Sequence, residues 1–191
     1  MVIKVVYINF DGDEERVITV QNLKIYNNFI RNREEKNPEY VILKLNFFNN
    51  NLKSLPKLPE GLEKLDCSGN KLKSLPKLPN SLKDLDCWNN NLTSLPELPE
   101  GLEKLDCSRN NLTRLPDNLT QLRNLKNIYY YDNEIELTIQ QINFINRLRQ
   151  RQRQEQIYKN NKTFYDYSQN VHDSHIQKQL LNNINILMND K

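Results

Sequence analysis

Apolar residues return along residues 42–110 with a period of 20. Ile42, Leu62, Leu82 and Leu102 open successive units, and Leu45, Leu65, Leu85 and Leu105 hold the fourth position. The sixth position is Phe47, Cys67, Cys87 and Cys107, and the ninth is Asn50, Asn70, Asn90 and Asn110. The eleventh and fourteenth positions are always leucine, followed by Pro56, Pro76, Pro96 and Pro116. Each unit is too short to bury its leucines alone, so the units must stack and share one apolar column. Positions two to eight read as a strand whose side chains alternate in direction. Stacked strands lie about 4.8 Å apart. The ninth-position amide, which both donates and accepts, is placed to satisfy backbone groups where the chain leaves the strand.

That L-x-x-L-x-[L/C]-x-x-N-x-L-x-x-L-P pattern resembles the leucine-rich repeat family. The resemblance implies an α/β solenoid with a parallel concave sheet. Seven of the eight prolines fall in the return segments, from Pro56 to Pro116, which predicts an extended, proline-rich convex side without helices. The L-P-x-L-P returns resemble the short repeats of secreted effectors of Gram-negative pathogens. A fifth unit follows after 23 residues, with Leu125, Ile128, Tyr130, Asn133 and Ile135 at its key positions. The longer return before it, residues 117–122, resembles the helical-turn variety.

The flanks predict caps. Residues 1–41 read as an N-terminal cap: strands at Val2–Phe10 and Arg16–Val20 joined at Asp11-Gly12-Asp13, then a helix from Leu23 to about Asn37. Asp11 and Asp13 lack the remaining ligands of a calcium loop. Residues 42–137 are five repeats and 138–191 a C-terminal helical cap and tail. Ile139, Ile142, Ile145 and Leu148 give the cap helix an apolar stripe over residues 138–158. Ile176, Leu180, Leu181, Ile184 and Leu187 mark a second amphipathic segment. The stretch from Asp166 to His172 carries no assignable chemistry.

Charge and composition narrow the function. The repeats hold thirteen basic and thirteen acidic residues, while residues 138–191 hold eight against four, so the basic excess lies in the tail. Arg147, Arg149, Arg151 and Arg153 spread around a helix and do not form one face. No apolar run is long enough to cross a membrane, and residues 1–7 lack a signal-peptide pattern. Cys67, Cys87 and Cys107 read as inert core thiols, which fits a reducing, cytoplasmic compartment and makes the N-x-S/T sequons irrelevant. The chain has no alanine and is rich in Asn, Lys, Ile and Tyr, a composition that resembles amoebal and amoeba-infecting giant-virus proteins.

No catalytic constellation stands out. There is no phosphate-binding glycine loop and no Ser/His/Asp arrangement. His172 and His175 lack two further ligands for zinc. No cofactor is expected. The bacterial effectors that the repeats resemble often append a ubiquitin-ligase domain with a C-x-D motif. No cysteine here has that context, and the resemblance is confined to the repeats.

The concave columns remain. The third position reads Lys44, Lys64, Asp84, Lys104, Asn127; the fifth Asn46, Asp66, Asp86, Asp106, Tyr129; the seventh Phe48, Ser68, Trp88, Ser108, Tyr131. All three columns are expected to face solvent. Tryptophan and tyrosine are enriched at interface hot spots. Trp88, Phe48, Asp66, Asp86, Asp106, Tyr129 and Tyr131 are therefore the candidate partner-binding residues of a monomeric, non-enzymatic interaction module with a protein partner. A nucleic-acid partner on the Arg147–Arg153 helix, or a role as the recognition arm of a ubiquitin-ligase complex, are the alternatives; no membrane partner is expected.

Overall fold

The computed structural model describes residues 2–9, 15–20, 23–36 and 40–169. One seven-stranded sheet runs through it, in the order β2-β1-β3-β4-β5-β6-β7. β1 (Ile3–Asn9) pairs antiparallel with β2 (Glu15–Val20) and with β3 (Tyr40–Asn46). From β3 onward every pairing is parallel: β4 (Lys64–Asp66), β5 (Asp84–Asp86), β6 (Lys104–Asp106) and β7 (Asn127–Tyr129). The register pairs Leu45, Leu65, Leu85, Leu105 and Ile128 in sequence, so the fifth unit joins in phase despite its longer return. In β4 to β7 regular strand covers only positions three to five. Ladder hydrogen bonds reach further: Glu63 N–H donates to Leu43 O (2.8 Å) at position two, and Gly69 N–H to Trp88 O (2.9 Å) at position eight.

The strand ends at position eight because the backbone turns left-handed there. Asn49, Gly69, Asn89, Arg109 and Asp132 all have φ between 52° and 66°. Four of the five are residue types that tolerate this region; Arg109 is the exception. Next comes the asparagine ladder. Asn90 Nδ2 donates to Cys67 O (3.0 Å), Cys87 O (3.1 Å) and Trp88 O (3.3 Å), and its Oδ1 accepts from Leu72 N–H (3.0 Å). Asn70, Asn110 and Asn133 repeat this arrangement. At the N-terminal end Asn50 has no earlier repeat, and it exchanges both bonds with the backbone of Val2 (2.7 Å each).

Ile42 and the leucines at positions one, four and eleven are buried throughout the first four units, with Cys67, Cys87 and Cys107 fully buried among them. Leu58, Leu78 and Leu98, at position seventeen of the returns, are buried too, an inward position absent from the predicted set. Phe47 stands where the next three units have cysteine because its outer side meets a helix. Tyr26 of α1 (Leu23–Lys36) is fully buried and meets Phe47 edge-on, ring centroids 5.5 Å apart at 76°. The first three returns contain no helix, and the longer fourth return forms a 3-10 helix over Asp117–Gln121.

The chain divides into two compact units, Met1–Ile145 and Asn146–Lys191. α2 (Ile139–Gln169) begins in the first. Thr138 and Gln141 form a capping box: Gln141 N–H donates to Thr138 Oγ1 and Thr138 N–H to Gln141 Oε1, both 3.2 Å. Gln141 also donates to Leu115 O and Pro116 O (3.4 Å), which anchors the helix to the fourth repeat. Among its described side chains the buried ones are Gln141, Phe144, Ile145 and Leu148. This corrects the expected stripe: Ile139 is 77% exposed and Ile142 42% exposed, because the capping box sets a different phase. The helix also runs past residue 158 to Gln169, through the start of the Asp166–His172 stretch. The turn at Asp11-Gly12-Asp13, the histidines and the segment 176–187 lie outside the described residues.

Candidate functional site

The fifth-position column serves the fold before any partner. The N–H at position seven points away from the next strand, and the left-handed turn at position eight leaves it no ladder acceptor. The side chain two residues earlier supplies one. Asp66 Oδ1 accepts from Ser68 N–H (3.1 Å), Asp86 Oδ1 from Trp88 N–H (3.1 Å), and Asp106 Oδ1 from Ser108 N–H (3.0 Å). Asn46 Oδ1 does the same for Phe48 N–H (2.9 Å). These local bonds hold the backbone where the ladder gives out, which accounts for Asp or Asn in all four units.

The aspartates are not equivalent. Asn46 Nδ2 donates to Asp66 Oδ2 (2.9 Å), and Ser68 Oγ donates to Asp66 Oδ1 (2.5 Å). For Asp86, half-burial is the main force raising its carboxyl above the ordinary range, and the charges of Asp66 and Asp106 add to this. The Trp88 N–H and Lys104 oppose the rise without cancelling it. The folded state therefore holds the Asp86 proton more tightly than the unfolded state. Stability contributed by that proton is present at acid pH and is lost as pH climbs through the raised folded value. Asp86→Asn keeps the acceptor for Trp88, as Asn46 shows, and removes the charge. Thermal melts are expected to show the variant more stable than the parent at neutral pH, with the gap closing in acid.

Position seven departs from the expected solvent-facing column. Ser68 and Ser108 are buried, Trp88 is half-buried, and Phe48 and Tyr131 are 51% and 53% exposed. Large and small side chains alternate from repeat to repeat. Phe48 reaches over the next unit, its ring 3.5 Å from where a Cβ on Gly69 would stand. Trp88 lies against Arg109, whose guanidinium sits 5.5 Å from the ring centroid. Arg109 Nε also pairs with Asp132 Oδ2 at 3.2 Å. These two contacts explain why arginine occupies a left-handed position that disfavours it. Ser108 Oγ is buried without a hydrogen-bond partner.

Tyr129 (42% exposed) and Tyr131 extend the aromatic surface to the C-terminal end of the sheet. On the same face lies a shallow groove of about 540 Å³, where Lys4, Lys44, Lys64 and Lys104 face Asp66, Asp84 and Asp86. The concave face thus carries lysines and aspartates side by side, with Lys104 Nζ 3.9 Å from Asp84 Oδ1.

Burial drives the thiols up, Cys107 to about 12 and Cys67 and Cys87 also well above the ordinary thiol range. Cys87 and Cys107 donate weakly to Asp106 O (3.3 Å) and Tyr129 O (3.4 Å). Among the described residues no group of three or more His, Cys, Asp or Glu could hold a metal, and no described helix is long and apolar enough to cross a membrane.

Comparison with known proteins matches residues 60–100 to a model of leucine-rich repeats in two copies, and residues 101–122 to a leucine-rich repeat model. Residues 60–122 thus resemble leucine-rich repeats, and the parallel stack is a solenoid consistent with that likeness. Among solved structures, YopM from Yersinia enterocolitica WA-314 is 38% identical over 45% of this chain and 19% of that one, with a TM-score of 0.42. YopM from Yersinia pestis, described as a leucine-rich effector protein, is 28% identical over 58% of this chain and 42% of that one, with a TM-score of 0.40. This chain therefore spans less than half of either. No curated protein is a significant match.

Proposed function

We propose that this leucine-rich repeat solenoid is a non-enzymatic protein-interaction module that holds a protein partner on its concave face. The observation that carries the reading is the aromatic and acidic surface from Phe48 through Trp88 to Tyr129 and Tyr131, flanked by Asp66, Asp86 and Asp106. Single exposed apolar side chains are ordinary, but aromatics gathered on one open sheet face are the composition of interface cores. The carboxylate column favours a partner that presents Lys or Arg beside an apolar anchor. Arg109 already covers one side of the Trp88 ring, so the partner's cation is directed to the aspartates and its apolar group to the tyrosines. Buried, unbridged cysteines support a reducing, intracellular setting.

Trp88→Ala is expected to weaken partner binding by about 2 kcal/mol. It is also expected to lower the melting temperature, because the half-buried ring and its contact with Arg109 are lost together. Tyr131→Ala, at an exposed position, separates the two effects: affinity falls while the melt stays put. Calorimetric titration and melts on both variants are the check. Unchanged affinity in both would move the binding surface elsewhere.

Arg147, Arg149, Arg151 and Arg153 are all exposed on α2, which supports nucleic-acid binding as the second reading. Phosphate contacts would make binding fall linearly in the logarithm of salt concentration.

A further inference from the structure

Two charged columns on this solenoid are organised in opposite ways. At position two the residues alternate: Glu63, Lys83, Glu103, Lys126. Each cation there meets the preceding acid, Lys83 with Glu63 at 2.7 Å and Lys126 with Glu103. That column is complete within one chain. At position sixteen, on the return side, the residues are Lys57, Lys77, Glu97 and Asp117, two cations followed by two anions. All four are exposed. Among the described residues no ion pair joins Lys77 to Glu97, the one place where the signs change between adjacent layers.

The segregation extends beyond one column. Residues 42–81 carry seven lysines against three Asp or Glu, and residues 82–121 carry four Lys or Arg against seven. Grouping like charges one layer apart costs energy within a chain. A two-fold axis between the second and third repeats removes that cost. Run antiparallel to itself, the position-sixteen column sets Lys57 against Asp117 of a second copy and Lys77 against Glu97, twice over by symmetry. A two-fold interface requires such a self-complementary patch.

The neighbouring column suits close approach. Pro56, Pro76, Pro96 and Pro116, at position fifteen, are all half-buried. Their fixed φ gives a rigid, apolar ridge that loses little freedom on contact.

We infer that the return side of repeats one to four is a docking surface for a second copy of this chain, in antiparallel, two-fold register. The pairing leaves the concave sheet of each copy open, so it is independent of what that face binds. Exposed ion pairs set orientation and register more than affinity, so the dimer is weak and dissolves with salt.

Charge reversal tests both the contact and its register. Sedimentation equilibrium of the full chain at low salt is expected to show a reversible monomer–dimer equilibrium that shifts to monomer at high salt. Lys77→Glu alone and Glu97→Lys alone each place like charges in contact twice, and each is expected to weaken the dimer at least about tenfold. Mixing the two single variants restores every attraction, and so does the double reversal in one chain, so dimer returns in both. The positions are exposed, so melting temperatures stay near the parent's. A parent that stays monomeric from micromolar to millimolar concentration overturns the inference. So does a dimer indifferent to either reversal, or one that the mixture fails to rescue.

Discussion

Asn90→Ala is expected to destabilise the whole solenoid by about 2–4 kcal/mol, the largest effect of any single substitution outside the leucines. The three carbonyls it serves are not left bare. Cys67 O also accepts from Asn70, Cys87 O from Asn110, and Trp88 O from Gly69 N–H. The Leu72 N–H, however, has the Asn90 oxygen as its acceptor. Its loss strands a buried donor, and the vanished amide leaves a polar void between two layers. Asn90→Asp discriminates this account from simple loss of volume. It keeps the acceptor for Leu72 but turns a charged oxygen toward three carbonyls. Its folded-state pKa is then raised, so stability recovers as pH falls and the carboxyl gains a proton to donate. Denaturant melts from neutral to acid pH measure both. Equal, pH-independent losses in the two variants would contradict the ladder's role.

Ending the chain at Leu137 is the second large expectation. The cut removes Phe144 and Ile145, two buried side chains each contributing roughly 2–3 kcal/mol by burial, and the anchor from Gln141 to Leu115 and Pro116. It also opens the last apolar layer to water. The truncated chain is expected to melt many degrees lower and to self-associate through the uncovered end, read by scattering and thermal denaturation. A truncation that melts with the parent would show that α2 covers nothing the repeats need.

The repeats were legible because one period of 20 sets positions one, four, six and eleven in the first four units, and the ninth-position asparagine marks the turn in each. Position seventeen escaped notice although its leucines recur with the same period, since the proline pattern drew that segment to the surface. Column seven was legible in direction but not in burial. Ser68 and Ser108 are buried where Phe48 and Tyr131 are open, a difference between repeats that strand alternation does not contain. The phase of α2 was equally hidden in the stripe of isoleucines. Its signal was Thr138 and Gln141, three residues apart, a polar pair that fixes which side of the helix turns inward. The candidate site was read as aromatics and carboxylates that all face solvent. The aspartates instead hold the backbone at Ser68, Trp88 and Ser108, a local role invisible until the left-handed turn at position eight is known.

The asparagine ladder also has a bearing on how such a chain grows. Asn70, Asn90 and Asn110 bind only their own turn and the turn just before it, at sequence separations of 18 and 23 residues that are the same in each. A tandem duplication of one 20-residue unit therefore arrives with its own donors and acceptors already matched to either neighbour, whatever unit it copies. Lengthening by whole units is a neutral step for the backbone. Insertions of any other length within a strand or its turn break two junctions at once. Copy number is thus the free variable of this architecture, and the chemistry written on each unit's outer positions is what selection is left to act upon.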